Sequence, residues 1–524
     1  MLLIRYELKD QSKPYNLAVG KWLLVVSEGV KLQSMLAKVD SKTVEVIKNL
    51  VLEKALSEKV SFASLRIEET RTQYLQLRDN DLETDDDVCE FGMSVSVVKN
   101  NSFGFAGSVF ITPASAEELI KQALELAAIS SGAIDGNYDF DGTSYVDLEY
   151  SSPCDINPFS VPKRDKIESL REYSSRLLGK KSIDHVTSSF YAAEENKFYA
   201  DIFGTTALQK RVRIHPVFEA VAILEDGGDY ESLRTNAPPV AGGYEYLGNK
   251  IWNFDDEIAK IPDLLEEKIK SPFVEEGNYD LVIDPTNLWL TIHESIGHAT
   301  ELDRAIGYEA AYAGTSFATP SLLGKLQYGS NIMNIKADRD SLFGLASIAI
   351  DDEGVKTHSF DIVRDGILVG FQTNRSVAGL LGAKSNGCAY GDSPLHVPIQ
   401  RMANVSLQPS GSVVTTEDLI SQVENGFYIV GDRSWSIDMQ RYNFQFTGQL
   451  FYKIQSGKIV GQVRHAAYQK STVEFWNSLS ALGGDRTYLL AGALNCGKGQ
   501  PGQVAPVSHG SPSALFENVR VLKV

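Results

Sequence analysis

Asn287–Arg304, NLWLTIHESIGHATELDR, carries His293, Glu294 and His298, two imidazoles with a carboxylate directly after the first. A metal-dependent hydrolase needs neutral ring nitrogens to hold its ion and a carboxylate to take a proton from the reacting water, so the residue types fit that chemistry. The spacing does not fit the familiar pattern. HExxH helices place their histidines at i and i+4, about 40° apart around the axis; here they stand at i and i+5, about 140° apart, too far for one ion on a straight helix. A π-bulge absorbs one extra residue in a single widened turn and would return both rings to one face. Gly297 precedes His298, where the backbone would deform. The stretch is therefore predicted to be a helix broken by one wide turn. Asp284-Pro285-Thr286 marks its start, and Leu288, Leu290, Ile292 and Ile296 give its apolar spacing. The alternative is an accidental match, with one histidine hydrogen-bonded in a core helix and the other on its solvated face.

Upstream of this helix, residues 1–58 show helical spacing in Val44, Ile47, Leu50, Val51 and Ala55. Between Val60 and Phe110 the period becomes two, in SLRIEETRTQYLQLRD, GMSVSVVK and FGFAGSVFI, which read as antiparallel strands. A helix opens at Ala114 and ends near Ser130-Ser131-Gly132. The polar segment 137–162 reads as a linker or exposed loop. A second helix over Lys163–Leu178 and strands around Val186–Ala193, Lys197–Phe203 and Gln209–Leu224 repeat the plan of sheet plus helix. The glycine and proline cluster from Asn236 to Gly243 is the clearest boundary. It precedes a helical stretch, Asp255–Lys270, expected to be interrupted at Pro262. Beyond Gly314 short strands dominate: Ser347–Asp351, Ser359–Arg364, Gly426–Val430, Phe446–Ile454 and Val519–Leu522. The expected class is α+β: residues 1–240 form an N-terminal region of antiparallel sheet and helices, with a candidate subdomain split near 137–162. Residues 241–524 form a largely β C-terminal domain carrying the metal-binding helix.

A chain of 524 residues is too long for one hydrophobic core. Its net charge of −18 opposes a broad grip on DNA phosphates or an anionic membrane surface, so neither nucleic acid nor membrane is expected as a partner. No run approaches the roughly 20 apolar residues of a membrane span. The start, MLLIRYELKDQSK, lacks a secretory pattern, and a reducing cytoplasm is the expected location. The four cysteines, Cys89, Cys154, Cys388 and Cys496, are too scattered for a disulfide framework. The first three read as small buried hydrophobes; Cys496 lies in NCGKGQ, a turn-like setting able to present a thiolate. Glu83–Asp87, ETDDD, lacks the glycine and distal glutamate of a calcium loop and reads as a solvated turn. Nothing in the sequence supports nucleotide binding. Glu301 follows His298 by one turn, either orienting it or lying on a solvated face. His396 and His509 are candidates to stabilise an oxyanion, or else hydrogen-bonded loop histidines.

HESIGHATELD resembles the HE-x-x-G-H-x-x-E-x-D signature of the TldD branch of the TldD/PmbA family, with Glu301 and Asp303 at its two later acids. DDEG (351–354), DGILVGF (365–371), PIQRMAN (398–404), GKIVGQVR (457–464), NCGKGQ (495–500) and GSPSALFENV (510–519) match further blocks of that family in order. FGMSVSVVKNNSFGFAGS (91–108) matches more loosely. The resemblance implies a zinc peptidase with His293, His298 and Cys496 as ligands and Glu294 as general base. It also implies unfolded or leader-type peptides as substrates, held as an extended strand. The assembly it implies is a homodimer or a heterodimer with a PmbA-like (TldE) subunit. Two other classes share these residues. A zinc-stabilised scaffold would close the metal with a fourth ligand such as His509, and an amide hydrolase for non-peptide substrates would differ only in its pocket.

Overall fold

The alternating stretch from Phe62 onward folds as a long antiparallel hairpin, β1 (Phe62–Arg78) and β2 (Asp81–Lys99). Its turn is Asp79-Asn80, with φ of +49° and +72°. Two consecutive left-handed residues match the right-handed twist of the flanking strands, and asparagine and aspartate tolerate that conformation best after glycine. The turn explains one correction. Glu83–Asp87 is not a solvated loop but the exposed half of β2, with Asp87 bonded to Arg71 at 2.8 Å and Asp85 to Lys163 at 2.6 Å. In the computed structural model, residues 39–130, 138, 140, 142–224 and 229–524 are described. The reading of the first residues against secretion, and part of the 137–162 segment, fall outside them.

The remaining strands of this sheet are β3 (Ser102–Ser108), β4 (Leu148–Ser151), β5 (His185–Asp201), β6 (Thr206–Ile223) and β7 (Tyr230–Arg234). They run in the order β3-β2-β1-β5-β6-β4, with β7 also on β6, and only the β4–β6 pair is parallel. The two sheet-plus-helix halves therefore share one sheet through β1 and β5, and the two strands expected within 186–203 are one continuous strand. Helices α1 (Ser41–Ser57), α2 (Pro113–Ile129), α3 (Lys163–Leu177) and α4 (Phe254–Lys270) pack against the sheet. Strand periodicity sorts the faces. Ala63, Leu65, Ile67, Leu75 and Leu77 of β1 lie in the helix-side cores, whereas Arg66, Glu68 and Tyr74 face the C-terminal half. Helix α4 runs through Pro262 without interruption. Burial of Ile258, Ile261 and Leu265 holds it across the one backbone bond that proline cannot make.

The C-terminal half is largely β. Strand β8 (Gly277–Ile283) leads into helix α5 (Pro285–Ile292), capped by the Asp284 carboxylate on the Thr286 N–H at 3.0 Å. A small sheet holds β9 (Ile335–Asp338), β10 (Phe360–Arg364) and β11 (Ile367–Leu368); β12 (Ala389–Tyr390) pairs with β13 (Ile399–Gln400), and β14 (Asn404–Leu407) joins β9. Ser347–Asp351, expected as a strand, makes only an isolated bridge between Ile350 and Lys356. Its neighbour Gln209 takes the Ala349 and Ile350 N–H groups, so side-chain bonds replace a ladder. The main sheet comprises β15 (Asn425–Ile437), β16 (Asn443–Gln455), β17 (Lys458–Val463), β18 (Ala466–Ser471) and β19 (Leu479–Leu482). A separate hairpin, β20 (Leu489–Lys498) and β21 (Gln503–Ser511), precedes β22 (Ala514–Lys523). Pairings β15-β8-β22-β18-β16 close on themselves through β15–β16. A closed ring leaves no open edge. Every residue of α5 is buried, and its Leu288, Trp289, Leu290 and Ile292 belong to the same core as Phe427, Phe446 and Tyr468 of the ring.

Candidate metal centre

At His293 helix α5 widens. The His298 N–H donates to the His293 carbonyl five residues back, and His293–Gly297 form one π turn. This is the distortion that the i, i+5 spacing demands, and it brings the two imidazole centroids to 4.7 Å. A widened turn strands backbone carbonyls, which must find donors elsewhere. Gln372 Nε2 donates to the Gly297 carbonyl at 2.8 Å and the Thr300 hydroxyl to that of Ile296 at 2.8 Å, while the Tyr328 hydroxyl donates to that of Ser295. Gly297 itself is helical, with φ −51°, so it supplies room: a Cβ there would stand 2.5 Å from Met402 Sδ.

The third donor arrives from β20, whose ladder with β21 is interrupted between Ala493 and Cys496. Cys496 Sγ lies 3.6 Å from His298 Nε2, and one donor atom from each of His293, His298 and Cys496 lies within 4.8 Å of the others. The opposite nitrogens of both rings are tied down. His509 Nδ1 donates to the Val405 carbonyl at 2.9 Å, which leaves His509 Nε2 to accept from His293 Nδ1 at 2.7 Å. His298 Nδ1 donates to Glu301 Oε2 at 2.7 Å. Each partner sets the tautomer so that Nε2 of both rings keeps its lone pair, the form a metal needs. Burial pushes the His293 pKa down, which also favours the neutral ring. Burial opposes ionisation of Cys496, but His298 and Arg401 outweigh it and hold the thiol below its usual value. Two nitrogens and one soft sulfur fit zinc, and three donors leave a fourth position for water or substrate.

Behind His298 lies a fully buried charge cluster. Lys498 Nζ stands 2.9 Å from Glu301, 2.7 Å from Asp303 and 3.5 Å from Glu309, and Arg304 reaches Glu309 at 3.1 Å. Burial works against the Glu301 carboxylate, yet Lys498 and His298 hold it well below the ordinary range. Asp303 is raised by burial, with Lys498 opposing. Glu294 is 5% exposed and its Oε2 accepts from Arg441 Nη1 at 2.7 Å. Burial raises it, but both histidines and Arg441 bring its pKa below the usual value.

The centre opens on a cleft of about 850 Å3. One wall holds His293, Glu294, His298, Trp289 and the β20 strip Ala491–Gly497; the facing wall is the N-terminal sheet, through Tyr74, Tyr191 and His215, cross-strand neighbours on β1, β5 and β6. Of the expected site residues, His293, Glu294, His298 and Cys496 meet here, with Glu301, Asp303 and His509 directly behind. His509 offers no free ring N–H to an oxyanion, because both nitrogens are engaged. His396 is bonded to Asp392 at 2.7 Å and does not line the cleft. Neither ring presents a free N–H to the cleft in this arrangement. Lys498 and Arg441 were missed in the sequence. Lys498 had one visible signal, a lysine two residues beyond Cys496 on the same face of a strand.

Among known proteins, residues 276–523 match the PmbA/TldA metallopeptidase C-terminal domain and residues 63–127 match PmbA/TldA metallopeptidase domain 1. A metalloprotease of Methanothermobacter thermautotrophicus is 25% identical over 476 residues, spanning 89% of this chain and 96% of the relative. A metalloprotease TldD homolog of Buchnera aphidicola is 26% identical over 82% of this chain and 86% of its own. The fold is shared with TldE from Thermococcus kodakarensis, at a TM-score of 0.65 and 14% identity over 91% of this chain and 99% of that one. Motif order, fold and both matched domains lead to one conclusion: the chain belongs to the PmbA/TldD metallopeptidase family.

Proposed function

We propose that this protein is a zinc-dependent peptidase of the catalytic, TldD-like kind, which hydrolyses an extended peptide lying in the cleft. One observation carries the reading: His293, His298 and Cys496 converge with their lone pairs freed by outward hydrogen bonds, beside Glu294 and at the edge of the cleft. Zinc held there would supply a Lewis acid that makes water more acidic and polarises the scissile carbonyl. Glu294 takes the proton as the water oxygen adds to the carbonyl carbon, and returns it to the amine nitrogen as the C–N bond breaks. Arg441 occupies Oε2, which leaves Oε1 for that proton. Among the described residues β20 pairs with β21 alone, and Ala491–Gly497 line the cleft. Its second edge can bind a peptide through main-chain hydrogen bonds, which hold unfolded or leader-type peptides irrespective of side chain.

A scaffold that closes its metal with His509 is disfavoured, since that ring has no free nitrogen. The family resemblance supports a dimer, either of two copies or with a TldE-like subunit, and the few scattered cysteines support a reducing, cytoplasmic setting; no helix among the described residues is long and apolar enough to cross a membrane. The test is incubation of the zinc-loaded protein with casein, followed by mass spectrometry. Peptides that vanish with chelator are the expected result; intact casein, with and without a TldE-like partner, would refute the reading.

A further inference from the structure

We infer that Arg441 is a catalytic residue, the hydrogen-bond donor to the scissile carbonyl oxygen as that oxygen takes up negative charge. The inference rests on the peptidase reading and deepens it. Arg441 stands in the tight turn between β15 and β16, and Asp438 closes that turn. The Asp438 carboxylate accepts from the backbone N–H groups of Gln440 at 3.0 Å, Tyr442 at 2.8 Å and Asn443 at 3.0 Å. Arg441 has a φ of +62°, a conformation that a long side chain adopts only where its surroundings impose it. Its carbonyl is fixed by the Thr472 hydroxyl at 2.7 Å. The turn is thus built to hold one arginine in one place.

From that place the guanidinium lines the cleft with 13% of its side chain exposed. An arginine fork can grip a carboxylate through two nitrogens, but here only Nη1 engages Glu294. Nη2 has one long contact, 3.4 Å to the Ala313 carbonyl, and Nε is buried without a hydrogen-bond partner. The fork thus keeps donor capacity beyond its single bond to Glu294, available to an acceptor that arrives with the substrate in the cleft. Two neighbouring donors are already engaged. Arg234, in the same cleft, is paired with Asp432 at 2.7 Å, and both His509 nitrogens are bonded. As water adds, its proton passes to Glu294 and the carbonyl π pair moves onto oxygen. A preorganised cation beside that base then meets the new charge without having to reorganise.

The test measures kcat and KM of zinc-loaded wild type, Arg441→Lys and Arg441→Met on one casein-derived peptide. A second readout is binding of its phosphinic analogue, in which –PO2(−)–CH2– replaces the scissile amide. Arg441→Met is expected to lower kcat about 10²–10³-fold with KM within about threefold, while still binding zinc. It should weaken the phosphinic peptide by a similar factor, yet leave binding of the parent peptide unchanged in a Glu294→Gln background. Arg441→Lys, which keeps the charge but loses the fork, should fall between and serves if the methionine variant does not fold. A kcat within about threefold of wild type in both variants, loss of zinc, or equal weakening of parent and phosphinic peptides would overturn the inference. If wild type cleaves no peptide, the peptidase reading itself fails; if wild type cleaves and both variants match it, the role of Arg441 alone fails.

Discussion

Two buried charge clusters among the described residues, of five and seven side chains, differ in where they end, and the smaller one ends at the metal cleft. The first, Glu301, Asp303, Arg304, Glu309 and Lys498, transmits its order through Glu301 to the His298 ring and so to a lone pair beside Cys496. The second joins Arg66, Glu68, Glu195, Lys197, Arg211, Arg213 and Asp352, with Lys197 2.9 Å from Asp352 and 3.4 Å from both Glu68 and Glu195. Its chain of bonds ends at the Tyr390 hydroxyl and the carbonyls of Gly391, Ser393 and His396, and so fastens the N-terminal sheet to the C-terminal half. Buried charge alone therefore says little about function. What distinguishes the sites is where the hydrogen-bond chain stops: at a donor atom open to a ligand, or at protein that is already satisfied.

The contrast can be broken at several strengths. The largest effect is expected from Glu294→Gln, which should cut peptide turnover about 10²–10⁴-fold while zinc content stays at the wild-type level; metal analysis alongside kinetics checks both halves. Next comes the fastening cluster, where Lys197→Met takes the shared cation from three buried acids, leaving them only Arg66, Arg211 and Arg213, and should destabilise the fold by about 3–5 kcal/mol in urea melts. Zinc affinity of the folded fraction should not change, and a parallel loss of zinc would erase the distinction drawn above. Smaller again is Glu301→Gln, expected to weaken zinc about 10–100-fold in chelator competition, because the His298 ring exchanges a charged acceptor at Nδ1 for a neutral one.

The smallest effect concerns pH. Burial raises the Glu68 pKa from 4.5 to about 7, with Lys197 and Arg66 opposing. Between those values the folded chain keeps a proton that the unfolded chain has released, so this group makes stability fall as pH rises through the window and has no further effect above it. One proton sets an upper slope of about 1.4 kcal/mol per pH unit. Urea midpoints of wild type minus Glu68→Gln between pH 5 and 8 should show that slope, and a flat difference would remove Glu68 as its source.

Much of this was legible beforehand for local reasons. The π turn follows from the register of His293 and His298 alone, and the Asp284 cap and the strands of β1 follow from local spacing. What escaped depends on distant chain. Gln372 and Tyr328 catch the stranded carbonyls from 75 and 33 residues away, and no periodicity points to them. For Cys496 the glycines of NCGKGQ suggest only a thiolate that can be presented; its meeting with His298, 198 residues away, rests on the family resemblance. The acidic run Glu83–Asp87 reads as a turn because its composition does not show that the chain reverses earlier, at Asp79-Asn80. Pro262 alone predicts a break in α4, and the burial of Ile258, Ile261 and Leu265 overrides it. Arg441 depends on a left-handed backbone imposed by Asp438, and that is a property of the folded turn.

Catalysis of the proposed kind requires two imidazoles and one thiolate to converge on a single ion. X-ray absorption at the zinc edge of the purified protein tests it most directly. The expected shell contains one sulfur at about 2.3 Å with nitrogens at about 2.0–2.1 Å, and Cys496→Ser removes the sulfur. A shell of nitrogen and oxygen alone in the wild type, or a sulfur that persists in Cys496→Ser, would contradict it.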